Sequence, residues 1–496
     1  MLKAAGWDSH FGLRISFGFR VSGFGFPPRL HSLLAIRLRR RYIFLAGCSG
    51  QPAWLNQNRM SSSSKLSSFA ARLRDMIGVF AYEPYAELPA FDQVALELFA
   101  LQFRHNTPYR RLCETRGARP GTVTHWTAIP AAPTSAFKEF ELSCLPAAER
   151  TAVFHSSGTT SQRPSRHFHD ADSLALYETS LLACFESHFP LAIGNWQLAI
   201  LTPPPAEAPH SSLVHMFETI RRQCGAGSPA FFGRAAADGT WALDLEATVE
   251  FLRKADASGQ PLLVFGTAFS YLHLLDHLAG CDLRLTLPPG SCALETGGYK
   301  GRSRSLPKAA LHALISQRLG IPPSHIVCEY GMSELSSQAY DLEIGALAAD
   351  PPASDNFDVP FPLTPALSLR EREPLGPRSC EVGRLPVVVK RALALPLPKG
   401  EGWGEGEQSV LPVTASQSSS RPFHLPPWAR VRIISPETGR EVGEGETGLI
   451  RVLDLANVYS VMAIQSEDLG IRCGDGFTLA GRAVSAEPRG CSLQAA

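Results

Sequence analysis

Pro261-Leu262-Leu263-Val264-Phe265-Gly266 is an apolar run of strand length closed by a glycine. Runs of the same kind recur on both sides of it: Ala152-Val153-Phe154, Gln197-Leu198-Ala199-Ile200-Leu201, Arg284-Leu285-Thr286-Leu287 and His325-Ile326-Val327-Cys328-Glu329-Tyr330. Between them lie segments with the length and pattern of helices, such as residues 173–189 and 306–319. Strands alternating with helices predict an α/β fold with a largely parallel sheet covered by helices. Such sheets bind ligands in the loops beyond the carboxyl ends of their strands.

Upstream, apolar residues recur at helical spacing from Phe69 to Gly121, as in Phe91-Asp92-Gln93-Val94-Ala95-Leu96-Glu97-Leu98-Phe99, and Pro120-Gly121 marks a stop. This reads as a helical lead-in packed on the sheet. Downstream, residues 348–427 are rich in Pro, Gly and Ser, far longer than an ordinary loop, for which about 12 to 15 residues is already unusual. Two of its pieces, residues 361–368 and 395–404, resemble translated arms of a dispersed bacterial DNA repeat, so the stretch is expected to be an insertion without a part in the chemistry, with a regulatory or partner-binding loop as the alternative. Order resumes at Trp428-Ala429-Arg430-Val431-Arg432-Ile433-Ile434, and closely spaced turns up to residue 481 predict a small β-rich subdomain. The expected organisation is a 60–347 core, the 348–427 insertion, a 428–481 subdomain completing the core and a short 482–496 tail.

The 496 residues are 44% hydrophobic and 19% charged, enough for a sizeable core in more than one domain. The net charge of +1 gives no reason to expect nucleic acid as a partner. It hides an uneven distribution. Residues 1–59 carry nine Lys/Arg against the single acid Asp8, whereas the remainder has 38 Lys/Arg against 45 Asp/Glu. Arg37 to Arg41 precede only a short apolar stretch, so an export signal or transit peptide fits less well than a disordered extension or a misassigned start, with Met60 as the natural beginning. No run reaches the ~18 apolar residues of a membrane span. Eleven cysteines without a CxxC spacing give no zinc or dithiol signal and point to a reducing, cytoplasmic setting.

Four loops carry chemistry. Ser156-Ser157-Gly158-Thr159-Thr160-Ser161 follows the first apolar run; hydroxyls, amide N–H groups and a glycine suit phosphate oxygens, although an ordinary polar turn has the same composition. It is not a Walker A loop. Arg163 and Arg166 lie near enough in sequence to add positive charge there. Glu295-Thr296-Gly297-Gly298-Tyr299-Lys300-Gly301 reads either as a loop that lets a planar ligand approach the backbone or as a hairpin-like turn. In Glu329-Tyr330-Gly331-Met332-Ser333-Glu334 the tyrosine offers an aromatic surface, and Glu334 suits Mg²⁺ or a helix start. Glu467-Asp468-Leu469-Gly470 offers carboxylates to ribose hydroxyls, or is simply a turn.

Arriving in this order, the loops resemble the signature of the adenylate-forming superfamily, and within it the LuxE-type acyl-protein synthetase and phenylacetate-CoA-ligase-like branch. Phe265-Gly266-Thr267-Ala268, Asp454-Leu455-Ala456-Asn457, Gly481-Arg482 and Arg489-Gly490-Cys491-Ser492-Leu493 add to the likeness, which covers about residues 65–345 and 425–495. The resemblance implies that family's large-domain fold, and that Ser156, Ser157, Gly158, Thr159 and Thr160 hold the phosphates of ATP. It implies further that Gly297 and Gly298 border the adenine, that Tyr330, followed by Gly331, stacks near the base, that Asp468 holds the ribose, that Arg482 reaches the nucleotide and that Glu334 serves Mg²⁺.

The sequence departs from the pattern in two places. Ser161 stands where most relatives have glycine, and no lysine follows Arg482, so the mobile carboxyl-terminal domain that carries a helper lysine is expected to be largely absent; either Lys300 or a partner supplies that cation, or the first step is slow. LuxE-type proteins carry the acyl group on a cysteine near the carboxyl end, and Cys491 is the matching residue. The expected function is ATP-dependent activation of a fatty or aryl acid to an acyl-adenylate, with transfer to a protein thiol, either Cys491 or that of an acceptor such as a reductase or carrier protein. The alternatives are an acyl-CoA ligase using coenzyme A and a non-catalytic nucleotide- or acyl-binding module. Met216, Phe217, His215 and Phe265 are candidates for the acid pocket.

Overall fold

The computed structural model describes residues 62–80, 91–156, 163–189, 196–224, 230–236, 240–297, 306–342, 344 and 421–483. From Ser63 onward these lie within one compact unit. The basic extension, residues 345–420, the tail beyond Ala483 and the site residues Ser157, Gly158, Thr159, Thr160, Gly298, Lys300 and Cys491 lie outside the described residues.

Three helices lead, α1 (Ser62–Phe80), α2 (Phe91–His105) and α3 (Thr107–Thr115), followed by β1 (Ala132–Pro133). Next come β2 (Ala152–His155), β3 (Arg166–His169), α4 (Ala171–His188), β4 (Gln197–Ile200) and α5 (Ser212–Gln223). A small hairpin, β5 (Gly233–Ala235) and β6 (Trp241–Leu243), precedes α6 (Leu245–Ser258), β7 (Leu262–Thr267), α7 (Ala268–Gly280), β8 (Cys292–Thr296), α8 (Lys308–Leu319), β9 (Ile326–Tyr330) and β10 (Ala339–Tyr340). Beyond residue 421 run β11 (Ala429–Ile434), β12 (Thr447–Asp454), β13 (Ala463–Cys473) and β14 (Gly476–Arg482).

The predicted parallel sheet is present: β4, β7, β8 and β9 are parallel neighbours, and β10 closes the edge antiparallel to β9. The opening run is apolar throughout because both faces are covered. Leu262 and Val264 join a core with Leu252, Leu274 and Ile315 of the helices on one side. Leu263 and Phe265 point the other way, into the larger core that also holds Phe99 of α2 and Ile450 and Val452 of β12. The strand turns into a helix within one residue at the capping box of Thr267 and Ser270. The second sheet runs β1-β13-β12-β11, with β14 on β13, and is antiparallel except where β1 joins.

Three expectations are corrected. Arg284-Leu285-Thr286-Leu287 is no strand: its amides at Leu285 and Leu287 bond the carbonyls of Arg318 and Leu319, so it caps the end of α8 instead of joining the sheet. Ala152-Val153-Phe154 is a strand, but it pairs antiparallel with β3 in a separate two-stranded sheet. Glu467-Asp468-Leu469-Gly470 is not a turn; it lies inside β13, the longest strand described.

Candidate active site

The register of the parallel sheet sets Thr296 at the end of β8 beside Glu329 near the end of β9. The Thr296 hydroxyl donates to Glu329 Oε2. Glu329 is buried, and burial pushes its carboxyl up to about 7, with Glu295 adding to the effect and the Thr296 bond opposing it. A Cβ at Gly331 would meet Glu329 Oε1, so any larger residue there would force that carboxylate to move. Gly297, directly after β8, has φ +74°, a glycine conformation.

Two clusters flank this edge. In the first, Tyr330 donates its hydroxyl to Asp468 Oδ2 at 3.0 Å, and its ring meets Phe477 edge-on at 5.2 Å. Asp468 stands opposite Arg482 in the β13–β14 register. Arg482 pairs with Asp468 at 2.9 Å and with Glu467 at 3.0 Å. Burial and the Asp468 carboxylate hold the Tyr330 proton well above its ordinary range, so the tyrosine stays a donor.

In the second cluster Ser165, just before β3, donates its hydroxyl to Glu334 Oε1 at 2.6 Å. Its amide bonds Ser156 Oγ at 3.0 Å, and its carbonyl accepts the Ser156 amide at 3.2 Å. Ser333 Oγ donates to Glu334 Oε2 at 3.0 Å. His167 Nδ1 lies 2.9 Å from the Ser333 carbonyl, which can only accept, so Nδ1 carries a proton. Burial keeps this imidazole neutral, pushed down to about 4. The stem of the expected phosphate loop and the expected metal carboxylate are thus tied together.

Beneath them the residues after Glu334 are fixed to the end of β12. Asp454 accepts from the Ser336 amide at 2.9 Å and the Ser337 hydroxyl at 2.8 Å. Asn457 Nδ2 donates to the Glu334 carbonyl at 2.8 Å. Trp428 Nε1 donates to Ser180 and Ser337. Of the described expected residues, Tyr330, Asp468 and Arg482 stand together, as do Ser156 and Glu334; Gly297 and Gly331 lie on the adjoining strand ends. Arg166 is turned to Glu141 at 3.4 Å. Phe217 stacks on Phe265 at 5.2 Å, both fully buried, and Met216 is 2% exposed, so these three serve the core. His215 pairs with Glu178 at 3.0 Å. Sequence reasoning missed Ser165 and His167; the short polar β3 after a glycine-bearing loop is the signal that marks them as the loop's return strand.

Mg²⁺ is held by oxygens, commonly one or two carboxylates together with substrate phosphates. Glu334, 2% exposed and oriented by two serine hydroxyls, is a carboxylate of the kind that fits that habit. No group of three or more His, Cys, Asp or Glu among the described residues would hold a metal by itself.

The fold is that of an acid-activating ligase. The chain belongs to the LuxE acyl-protein synthetase family, whose model (acyl-protein synthetase, LuxE) matches residues 52–343. It is accordingly an enzyme that activates an acid at the expense of ATP, and the reading as a non-catalytic module falls. No curated protein matches the chain. Among solved structures it is similar to 2-hydroxyisobutyryl-CoA ligase in the postadenylation state with 2-HIB-AMP, at 13% identity and a TM-score of 0.48 over 80% of this chain and 69% of that one. It is also similar to the amide bond synthetase McbA from Marinactinospora thermotolerans (13%, 0.38, 68% and 49%) and to ATP-bound MatB from Rhodopseudomonas palustris (16%, 0.35, 69% and 50%). The family match, not these distant likenesses, carries the assignment. Among the described residues no helix is long and apolar enough to cross a membrane.

Proposed function

We propose that the enzyme converts a fatty or aryl acid to its acyl-adenylate and passes the acyl group to a protein thiol. The observation that carries this reading is the loop leaving β9. Within five residues it offers Tyr330, bonded to Asp468, on one side and Glu334, bonded to Ser165 and through it to Ser156, on the other. A nucleotide laid along that loop meets an aromatic ring and a carboxylate at its nucleoside end, and hydroxyls at its phosphate end.

The chemistry follows from that placement. An oxygen of the substrate carboxylate attacks the α-phosphorus, the bond to the β-phosphate oxygen breaks and pyrophosphate leaves with its electron pair. Ser156, Ser157, Gly158, Thr159 and Thr160 serve as donors to the phosphates, and Lys300 and Arg482 as the cations near the growing charge. Glu334 would hold Mg²⁺, which when bound would add positive charge at the phosphates. Gly297 and Gly298 leave room for the adenine, and Asp468 accepts from the ribose hydroxyls. The acyl-adenylate then loses AMP to a thiolate, giving a thioester.

Cys491 or a partner's cysteine is the proposed acceptor. Six of the eight described cysteines are poor candidates, because burial raises their thiols, Cys113 and Cys224 to about 11 and Cys144 and Cys292 to about 12, with Cys184 and Cys328 higher still. The test is pyrophosphate release across a panel of acids, with and without coenzyme A, alongside a search for a hydroxylamine-sensitive acyl adduct on the protein and on its Cys491→Ser variant. A free CoA thioester with no protein adduct would favour the CoA-ligase reading instead.

A further inference from the structure

A row of like charges crosses the second sheet. Arg432 on β11 stands opposite Arg451 on β12, and Arg451 stands opposite Gln465 on β13. Side chains at such register positions have Cβ atoms about 4.5–5.5 Å apart, where like charges repel. Arg116, directly after α3, comes close enough that its charge also acts on Arg451. The neighbouring residues Ile450 and Val452 are fully buried, whereas Arg451 is half-buried.

Counter-charge is scarce there. Arg432 pairs with Glu441 at 2.8 Å. Among the described residues no carboxylate lies within ion-pair distance of Arg451 or Arg116. Arg451 donates Nε to the Gln465 amide oxygen at 2.7 Å, Arg116 donates to the Ala131 carbonyl at 2.9 Å and Arg432 to the Thr127 carbonyl at 2.9 Å. Those bonds fasten Thr127 to the sheet and Ala131 to the end of α3, and among the described residues they leave most guanidinium donors of Arg451 and Arg116 unspent. Fastening a loop asks for donors, which neutral side chains also supply. It does not ask for three positive charges brought together at a cost in repulsion. Burial, then Arg432 and Arg116, push Arg451 down to about 10, the direction expected where a cation lacks its counter-ion.

We propose that Arg116, Arg432 and Arg451 form an anion site that binds a phosphate group. Three cations meeting at one place match a multiply charged tetrahedral oxyanion better than a planar, singly charged carboxylate. Gln465, which Arg451 holds, lies three residues before Asp468 on β13, so the proposed site and the nucleotide cluster draw on the same strand at different positions. The phosphate comes either free in solution or carried on a larger molecule such as coenzyme A.

The test uses the full chain. Inorganic phosphate is titrated calorimetrically and by thermal shift at constant ionic strength, with chloride as the control, against wild type, Arg451→Gln and Arg116→Gln. The expected result is saturable phosphate binding that weakens about tenfold or more in each variant, while acid-dependent pyrophosphate release is unchanged. Arg116 is exposed and its replacement keeps the fold testable if Arg451→Gln does not fold. A parallel titration with coenzyme A separates the sources. Binding more than about tenfold tighter than phosphate, and lost in the variants, assigns the site to a carried phosphate; equal binding assigns it to the free ion. Phosphate acting no better than chloride, or equally on wild type and both variants, overturns the proposal.

Discussion

Ser165 Oγ sits 2.6 Å from Glu334 Oε1, joining the return strand of one loop to the carboxylate of another 169 positions away. The same serine holds Ser156 through its backbone, so its hydroxyl sets where Glu334 points relative to the proposed phosphate loop. Ser165→Ala leaves a buried carboxylate oxygen short of a donor, a loss of about 1–3 kcal/mol. Acid-dependent pyrophosphate release is expected to fall roughly tenfold or more, with a rise in the Mg²⁺ concentration needed for half-maximal rate. An unchanged Mg²⁺ requirement at lower rate would show that Ser165 only supports the fold.

Tyr330 and Asp468 make a second separable test. Tyr330→Phe keeps the ring beside Phe477 and removes only the hydroxyl that orients Asp468. Loss of one charge-assisted bond of about 1.5–3 kcal/mol is expected to raise the KM for ATP about tenfold with a smaller change in kcat. Asp468→Ala is expected to do more, because it also strips Arg482 of a partner. A Tyr330→Phe enzyme with wild-type KM for ATP would separate this pair from nucleotide binding.

The strands of the parallel sheet were legible because both faces are covered, so Leu262-Leu263-Val264-Phe265 needs no polar alternation. The loops at their ends were legible because glycines and hydroxyls stand where the apolar runs stop. β13 was not, since Glu467 and Asp468 interrupt its apolar pattern: they face Arg482, not a core, and the ladder slips at Leu469/Gly470. Leu285 and Leu287 misled for the opposite reason. They alternate like a strand and bury, yet their backbone bonds belong to the end of a helix. Which hairpin side chain meets Glu334 depends on contacts between residues far apart in the chain, and Ser165 has no motif of its own.

Glu329 predicts a pH effect with a definite sign. Its carboxyl titrates at about 7 when folded and near 4.3 when unfolded, so between those values the native state holds the extra proton. The stability it contributes therefore falls as pH rises through that window and is level above it. His167, pushed down to about 4 by burial, acts the other way, adding stability as pH rises from about 4 to about 6.5. A difference isolates the carboxyl. Glu329→Gln, compared with wild type by urea unfolding, is expected to match it most closely below about pH 4.3 and to gain roughly 3 kcal/mol on it by pH 8. A gap that does not change with pH would remove Glu329 as the source.

The chain on either side of residues 345–420 meets in the fold. Tyr340 and His424 exchange two backbone hydrogen bonds, at 3.2 and 2.9 Å, and Arg421 lies 3.4 Å from Asp341 while donating to the Ile326 carbonyl at 2.9 Å. Residues 421–427, which composition groups with the Pro/Gly/Ser-rich stretch, therefore belong to this stem, and Phe423 pairs with Phe477 beside Tyr330. A stem closed in this way asks only for a linker long enough to join its ends. Replacing residues 345–420 with about six Gly/Ser residues shortens the closed loop and is expected to stabilise the fold by about 2 kcal/mol, with acid-dependent pyrophosphate release retained. The two readouts separate the outcomes. A higher unfolding midpoint with activity intact supports the reading of that stretch as an insertion outside the chemistry. A folded but inactive deletion would instead give it a part in the reaction.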